Sequence, residues 1–151
     1  MFDLIVIGAG SGGIATARRA AKYGAKVMVV EAGRLGGTCV NLGCVPKKVM
    51  WSVASVREFV SLSGYYGTTI ASDSLDKFNW LEVKQKRDAY VLRLNEIYNR
   101  NLENDGIKLV HGMARLRENN QVQVNEQIFT GKHILIATGS APIFPTDISG
   151  Y

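Results

Sequence analysis

Two cysteines, Cys39 and Cys44, are the residues of this chain best suited to covalent chemistry. They lie in a glycine-dense stretch, residues 33–43, that leads directly into a predicted helix. A helix N-terminus and the neighbouring cations Lys47 and Lys48 would lower the pKa of a thiol, which favours the reactive thiolate. The pattern therefore predicts a dithiol that cycles between its reduced and oxidised forms.

The spacing by itself leaves another role open for the two thiols. Zinc sites draw several ligands from cysteine and histidine, but His111 and His133 lie far from the cysteines in sequence, so no metal site is predicted. A structural disulfide is uncommon in a reducing compartment. From the residues alone, a redox-active pair and two unpaired structural thiols are the alternatives.

A glycine-rich turn, GAGSGG at residues 8–13, stands between a predicted strand and a predicted helix. In this pattern Gly8 permits a tight turn, Gly10 lets a pyrophosphate approach the backbone, and Gly13 lets the helix pack closely on the sheet. The helix N-terminus then offers free N–H groups to phosphates. Glu31, at the end of the next strand, suits a ribose diol. The motif predicts a dinucleotide site without distinguishing NAD from FAD.

Arg18 is the candidate anchor for an anionic ligand. The predicted first helix places Ser11, Arg18 and Lys22 on one face and small residues on another. Residues 1–50 carry seven Lys/Arg against two acidic residues, a net charge of +5, whereas residues 51–151 carry eleven charges of each sign. The cations are not clustered as in a nucleic-acid arm, so we predict a small phosphorylated or carboxylated ligand. An exposed arginine without a ligand is the alternative.

The elements that must position these residues alternate between strands and helices. Buried strands are predicted at 2–7, 25–30, 107–110 and 133–138, and helices at 14–23, 45–62 and 80–104. Residues 63–79 are predicted to form a surface loop. Alternating apolar residues between Met113 and Thr130 predict an antiparallel meander. We expect an α/β fold with a parallel sheet and a β-α-β start.

Composition and the first residues bear on the cellular location. A length of 151 residues is typical of one domain, and 46% apolar with 21% charged residues is typical of a globular chain. The longest apolar runs are too short to cross a bilayer. No positively charged leader or cleavage site follows Met1. We expect a soluble, cytoplasmic protein with no membrane partner.

Residues 36–48, GGTCVNLGCVPKK, closely resemble the active-site signature of the class I, FAD-dependent pyridine nucleotide–disulfide oxidoreductases. Within that family, KKVMW at 47–51, FNW at 78–80 and KRDAY at 86–90 resemble the branch that reduces glutathione disulfide. ATG at 137–139 resembles the second FAD-contacting motif of the family. The resemblance runs through essentially the whole chain and implies a Rossmann-type FAD-binding domain.

The resemblance implies a role for each matching residue. Cys44 would face the flavin, and Cys39 would be the interchange thiol that attacks the substrate. Lys47 would lie beside the isoalloxazine, where a cation stabilises the anionic reduced ring. The other implied FAD contacts are Gly8, Gly10, Ser11, Gly12, Gly13 and Glu31 at the pyrophosphate and ribose, Thr38, Cys39 and Thr138 on the flavin side, Ala114 on the adenine side, and Gly139 in the second motif.

The resemblance also implies a substrate and an electron donor. Glutathione disulfide would contact Ser11, Arg18 and Tyr98, and NADPH would supply the electrons. The four carboxylates of glutathione disulfide suit an arginine, whereas Arg18 would repel the cationic linker of trypanothione. Sibling reductases acting on thioredoxin or trypanothione, and a non-catalytic nucleotide-binding module, are the alternatives.

Family members have further domains that these residues do not match. A separate domain binds NADPH, and an interface domain supplies a catalytic His-Glu pair to the other subunit of a homodimer. Neither His111 nor His133 stands in the histidine motif of the family. We therefore expect residues 1–151 to be the N-terminal part of an FAD-binding domain, incomplete and inactive in isolation.

Overall fold

The computed structural model describes residues 1–68, 70 and 78–149. Within them, six strands and four helices form a mixed α/β fold. The strands are β1 (Phe2–Ile7), β2 (Val27–Glu31), β3 (Lys108–His111), β4 (Ala114–Arg117), β5 (Gln121–Val124) and β6 (Gln127–Ile136). The helices are α1 (Ser11–Lys22), α2 (Gly37–Asn41), α3 (Cys44–Leu62) and α4 (Trp80–Asn104), and Ser63–Tyr66 forms a 3-10 turn.

The strands form one sheet in the order β3-β2-β1-β6-β5-β4. β1 pairs in parallel with β2 and β6, and β2 pairs in parallel with β3. β4, β5 and the first residues of β6 pair antiparallel. The predicted α/β class is therefore confirmed, with its parallel sheet, β-α-β start and antiparallel meander.

The longest strand, β6, departs from the prediction of a separate strand at 133–138. Residues 127–130 pair antiparallel with β5, and residues 131–136 continue as the parallel neighbour of β1. A Cβ added at Gly131 would lie 2.9 Å from Cγ1 of Ile5, so the glycine fits where the backbone runs close to the core. The sequence pattern separated the alternating segment, which ends at Thr130, from a strand at 133–138, whereas residues 127–136 form one strand that changes partners near Gly131.

Two helical features near the glycine motifs also differ from the prediction. α1 begins at Ser11 rather than near Ile14, because residues 11–13 of the glycine-rich turn already form its first turn. The stretch 33–43 contains the short helix α2, which the glycine content concealed. Within the predicted loop 63–79, residues 69 and 71–77 lie outside the described residues. Both differences bring backbone N–H groups to the same end of the sheet.

The sheet buries apolar side chains on both faces. On the face toward α1 and α4, the cluster includes Val6, Val29, Ala17 and Leu102, all inaccessible to solvent. The other face buries a second cluster: Ile5, Met28, Val30, Val122 and Val124. The meander supplies Val122 and Val124, so it closes the second face as well as extending the sheet.

The two long helices differ in how they meet the core. α4 buries Val91 and Leu102, whereas α3 buries none of its residues. Trp51, Val56 and Phe59 of α3 are each more than half exposed. In the part of the chain that the structure describes, we found no helix whose length and apolar character would let it cross a membrane.

Candidate active site

A groove of about 940 Å³ runs across the carboxyl ends of β1, β2 and β6. This edge of a parallel sheet is where doubly wound folds bind their ligands. The walls come from the glycine-rich turn, the end of β2, α2, the residues between β3 and β4, and the segment after β6. Ten of the predicted FAD contacts line the groove: Gly8, Gly10, Ser11, Gly12, Glu31, Thr38, Cys39, Ala114, Thr138 and Gly139.

Two of the predicted cofactor residues lie elsewhere. A Cβ added at Gly13 would lie only 1.9 Å from the carbonyl oxygen of Gly8, so Gly13 permits close packing under the groove. Lys47 is exposed in the first turn of α3, three residues after Cys44. Among the described residues, it is not part of the groove lining.

Glu31 is oriented by backbone donors before any ligand arrives. The Ala9 N–H donates to its Oε2 at 2.6 Å, and the Gly33 N–H donates to its Oε1 at 2.7 Å. Each carboxylate oxygen can accept a further hydrogen bond. Glu31 is therefore fixed at the groove wall with acceptor capacity left for a hydroxyl.

The segment that carries the cysteines rests directly on the glycine-rich turn. The Gly36 N–H donates to the Ala9 carbonyl at 2.8 Å. Gly37 has φ +60°, and a Cβ there would lie 2.8 Å from the Cα of Gly10. Because neither glycine carries a side chain, the two backbones approach closely enough to bring Cys39 against Ser11.

Two asparagines hold this segment to α4. The side-chain amide of Asn41 donates to the carbonyls of Leu35 and Gly37, at 3.0 and 2.9 Å. Asn95 donates to the same Leu35 carbonyl at 2.8 Å and to Oδ1 of Asn41 at 3.1 Å. No sequence motif assigns a role to either asparagine. Asn95 lies 54 positions from Asn41, and no local pattern indicates the pairing.

The two thiols lie next to each other and are both free in this structure. Cys39 is half-buried, lines the groove, and lies near enough to Cys44 and Ser11 for both to shift its pKa. Cys44 is exposed and lies outside the groove lining of the described chain. This adjacency allows a disulfide to form between them.

The prediction of a lowered thiol pKa is wrong for Cys39. Its pKa is raised, mainly by the hydrogen bond to Cys44, with burial and the charge of Cys44 acting in the same direction. The hydrogen bond from Ser11 lowers it by less. Cys39 lies in α2 rather than in the first turn of α3, so the neighbouring sulfur outweighs the helix and lysine effects that the sequence suggested.

A second cavity, about 370 Å³, lies between α1 and α4 and brings together the three predicted substrate contacts: Ser11, Arg18 and Tyr98. Arg19 and Lys22 add two more cations to its wall. The Nε–H of Arg18 donates to Oδ2 of Asp105 at 2.5 Å. The sequence suggested that the whole guanidinium is available to an anionic ligand, but one of its donors is already used. We call this cavity the α1–α4 pocket.

Ser11 lines both the groove and the α1–α4 pocket. It also contacts Cys39, so the thiol pair stands where the two cavities adjoin. Within residues 1–68, 70 and 78–149, we found no group of three or more His, Cys, Asp or Glu side chains placed to hold a metal ion. The arrangement suits transfer between a ligand in the groove, a dithiol and a ligand in the pocket.

Comparison with known proteins agrees with this geometry. The sequence model of the pyridine nucleotide-disulphide oxidoreductases matches residues 2–151. The chain is 48% identical to a glutathione reductase of Schizosaccharomyces pombe over 157 residues, 46% to one of Yarrowia lipolytica over 160, and 42% to one of Debaryomyces hansenii over 175. Each alignment covers 99% of this chain but only 33%, 34% and 36% of the relative, so the chain spans about a third of their length. The chain therefore belongs to the pyridine nucleotide-disulphide oxidoreductase family.

Proposed function

We propose that these residues form the dithiol-bearing part of an FAD-binding domain in a reductase of glutathione disulfide. The observation that carries the proposal is the position of the thiol pair between two cavities that share Ser11. One cavity has the glycine cradle of a dinucleotide site, and the other has three cations in its wall. The names of the similar proteins support the choice of substrate.

The groove fits FAD on its own features. Residues 8, 10 and 12 carry no side chain, so phosphates can reach the backbone at the N-terminus of α1. Glu31 would accept from the adenosine ribose, and Ala114 would lie along the adenine. Thr38, Cys39 and Thr138 would line the flavin end, since the same groove extends to the thiol pair. When bound, FAD would supply a two-electron carrier between a nicotinamide nucleotide and the dithiol.

The cysteines themselves would carry out the disulfide exchange. The Cys39 thiolate attacks one sulfur of glutathione disulfide, the substrate S–S bond breaks, and one glutathione leaves as a thiolate. The Cys44 thiolate then attacks the Cys39 sulfur, which releases the second glutathione and forms the Cys39–Cys44 bond. Two protein thiols become one disulfide, and their two protons end on the two glutathione products.

The α1–α4 pocket would bind the substrate through its carboxylates. Arg18 can offer a carboxylate two parallel hydrogen bonds, and Arg19 and Lys22 raise the local potential. Tyr98 supplies an aromatic wall with a hydroxyl. A cationic substrate such as trypanothione is disfavoured by the same charges, and nothing about this pocket favours a protein substrate over a small one.

Further parts of the proposal concern regions and conditions beyond these residues. NADPH would be the electron donor, bound by a domain outside residues 1–151, and the enzyme would work in the cytoplasm. The active form would be a homodimer, with no nucleic acid or membrane partner. The exposed apolar residues Trp51, Val56 and Phe59 of α3 support an intersubunit contact there.

The test uses the complete polypeptide that contains these residues. We expect it to bind FAD and to oxidise NADPH when glutathione disulfide is added. Cys39→Ser should abolish turnover but retain the flavin–thiolate charge-transfer absorption, whereas Cys44→Ser should lose both. Full turnover in Cys39→Ser would show that the exchanging thiol is misassigned. Bound flavin with no thiol-dependent turnover would favour a nucleotide-binding module instead.

A further inference from the structure

One ion pair joins Arg18, in the wall of the α1–α4 pocket, to the carboxyl end of α4. Arg18 comes from α1, and Asp105 is the C-cap residue that follows α4. Their Nε to Oδ2 distance is 2.5 Å across 87 positions of sequence. Beneath the pair, Leu102 of α4 is fully buried in the same cluster as Ala17 of α1. The pair therefore joins two helices that each contribute a side chain to the same buried cluster.

The position of Asp105 is unfavourable for a carboxylate unless a cation lies beside it. The carboxyl end of a helix has a partial negative charge, which repels an aspartate there. The guanidinium of Arg18 offsets this repulsion, and it holds the pKa of Asp105 below its ordinary value, with a smaller contribution from Lys22. The carboxyl group is 20% exposed, so solvent screens the pair only in part.

The bond at Nε also determines how Arg18 can meet a ligand. A guanidinium is planar, and a hydrogen bond at one edge fixes the orientation of the plane. Asp105 takes the Nε–H, so the terminal amino groups are the fork that a ligand carboxylate can bind. Arg18 is 36% exposed at the pocket wall. At such a position, an arginine side chain without a hydrogen-bond partner would sample many rotamers.

We infer that Asp105 is a positioning residue that holds the Arg18 guanidinium in the orientation needed to bind a carboxylate of the disulfide substrate. The inference rests on the proposed function, because it assigns the carboxylate to glutathione disulfide. Asp105 itself does not contact the substrate. It lowers the entropic cost of binding by fixing Arg18 before the substrate arrives.

The experiment compares Asp105→Ala, Asp105→Asn, Arg18→Ala and the double variant Arg18→Ala/Asp105→Ala in the complete polypeptide. Asp105→Ala should raise KM for glutathione disulfide roughly two- to fivefold with kcat unchanged, the size that one partly exposed ion pair can transmit. Asp105→Asn keeps an acceptor oxygen, so it should restore part of the loss. In the Arg18→Ala background, Asp105→Ala should change KM no further, because the residue acts through Arg18.

A matched control separates this role from the general loss of an ion pair. Asp3 pairs with Lys132 at 2.7 Å and lies in β1, at the amino end of the strand, whereas the groove lies at the carboxyl ends. Asp3→Ala should leave KM unchanged. If Asp105→Ala does not fold, the isosteric Asp105→Asn carries the test.

Each contrary result identifies what is wrong. A lower KM in Asp105→Ala would show that Asp105 competes with the substrate for Arg18, which overturns the inference. An unchanged KM, or an equal rise in the Arg18→Ala background, would overturn it while leaving the proposed function intact. A wild-type protein that turns over another disulfide but not glutathione disulfide would overturn the proposed substrate and this inference together.

Discussion

The groove and the α1–α4 pocket share Ser11 but are built from different parts of the polypeptide. The groove is shaped by backbone, because its closest approaches occur at glycines such as Gly10 and Gly37. The pocket is shaped by side chains, and its charge comes from Arg18, Arg19 and Lys22. One site depends on the absence of side chains, and the other on which side chains are present.

This difference sets how each site responds to substitution. A methyl group added at Gly8 or Gly37 meets backbone atoms, which cannot move without moving a strand end or a helix. A side chain removed from the pocket leaves its walls in place and takes away one interaction. A substitution in the groove should therefore abolish ligand binding, whereas successive substitutions in the pocket should each lower the affinity by a limited amount. The pocket is thus the site at which substitutions can change substrate specificity.

The largest effect is expected from Gly37→Ala. Its φ of +60° strains any other residue, and its Cβ would lie 2.8 Å from the Cα of Gly10. Strain and overpacking each cost about 1–3 kcal/mol, so together they should reduce FAD affinity by orders of magnitude. Flavin retained on gel filtration, followed by fluorescence titration, measures the loss.

Gly24→Ala is the matched control for Gly37→Ala. Gly24 also has a positive φ, +84°, but a Cβ there meets nothing within 4 Å. The Gly24→Ala variant should therefore have a lower free energy of unfolding, because its backbone is strained, but a normal flavin content. If the two variants bind FAD equally well, the approach of Gly37 to Gly10 does not shape the groove.

Arg18→Ala is the next largest expected effect and concerns the pocket alone. A charge-assisted hydrogen bond to a carboxylate is worth about 1.5–3 kcal/mol, so KM for glutathione disulfide should rise roughly ten- to hundredfold. The interaction is equally strong in the ground and transition states, so kcat should change little. Steady-state kinetics together with flavin content make the measurement. A normal KM would return Arg18 to a structural role as the partner of Asp105.

The same contrast explains which features could be predicted from sequence. Six of the ten predicted groove residues lie in two short local motifs, residues 8–13 and 36–48, whose glycine spacing has a direct physical meaning. The fold class followed from the apolar runs of β1 and β2. The continuity of β6 did not, because the hydrophobic pattern changes from alternating to continuous near Gly131, whereas the close approach of Gly131 to Ile5 keeps the strand unbroken.

The pocket and the supports of the dithiol were harder to predict. Asp105 and Asn95 act on partners 87 and 54 positions away, and a polar residue on an exposed helix gives no sign of such a partner. The raised pKa of Cys39 also depends on the fold, since the local sequence shows the lysines but not the contact between the sulfurs. Local motifs predicted the glycine-rich part of the groove, whereas tertiary contacts, which the sequence does not show, determine the positions of the thiols and of Arg18.

A smaller effect should appear in the reactivity of Cys39. Its pKa is raised mainly by the hydrogen bond to Cys44, so Cys44→Ala should lower that pKa. The pH profile for alkylation of Cys39 by iodoacetamide in the reduced protein should then shift to lower pH than in the wild type. Peptide mapping by mass spectrometry assigns the alkylated thiol. A profile that shifts upward would show that Cys44 instead stabilises the Cys39 thiolate.

The smallest effect concerns how the pocket wall responds to acid. The pKa of Asp105 in the folded protein lies below its ordinary value of 3.8, chiefly because Arg18 donates a hydrogen bond to it. A carboxyl group with a lowered folded pKa stabilises the protein above its unfolded pKa and loses that contribution as pH falls through the folded value. The difference in Tm between the wild type and Asp105→Asn should therefore be constant above about pH 5 and should shrink below about pH 4.

Asp3→Asn, which removes a carboxylate whose pKa Lys132 lowers, should show the same trend in Tm without any change in KM. A Tm difference for Asp105→Asn that grows as the pH falls would mean that the Arg18–Asp105 pair does not stabilise the folded protein, and the apolar cluster that contains Ala17 and Leu102 would then hold the two helices in place.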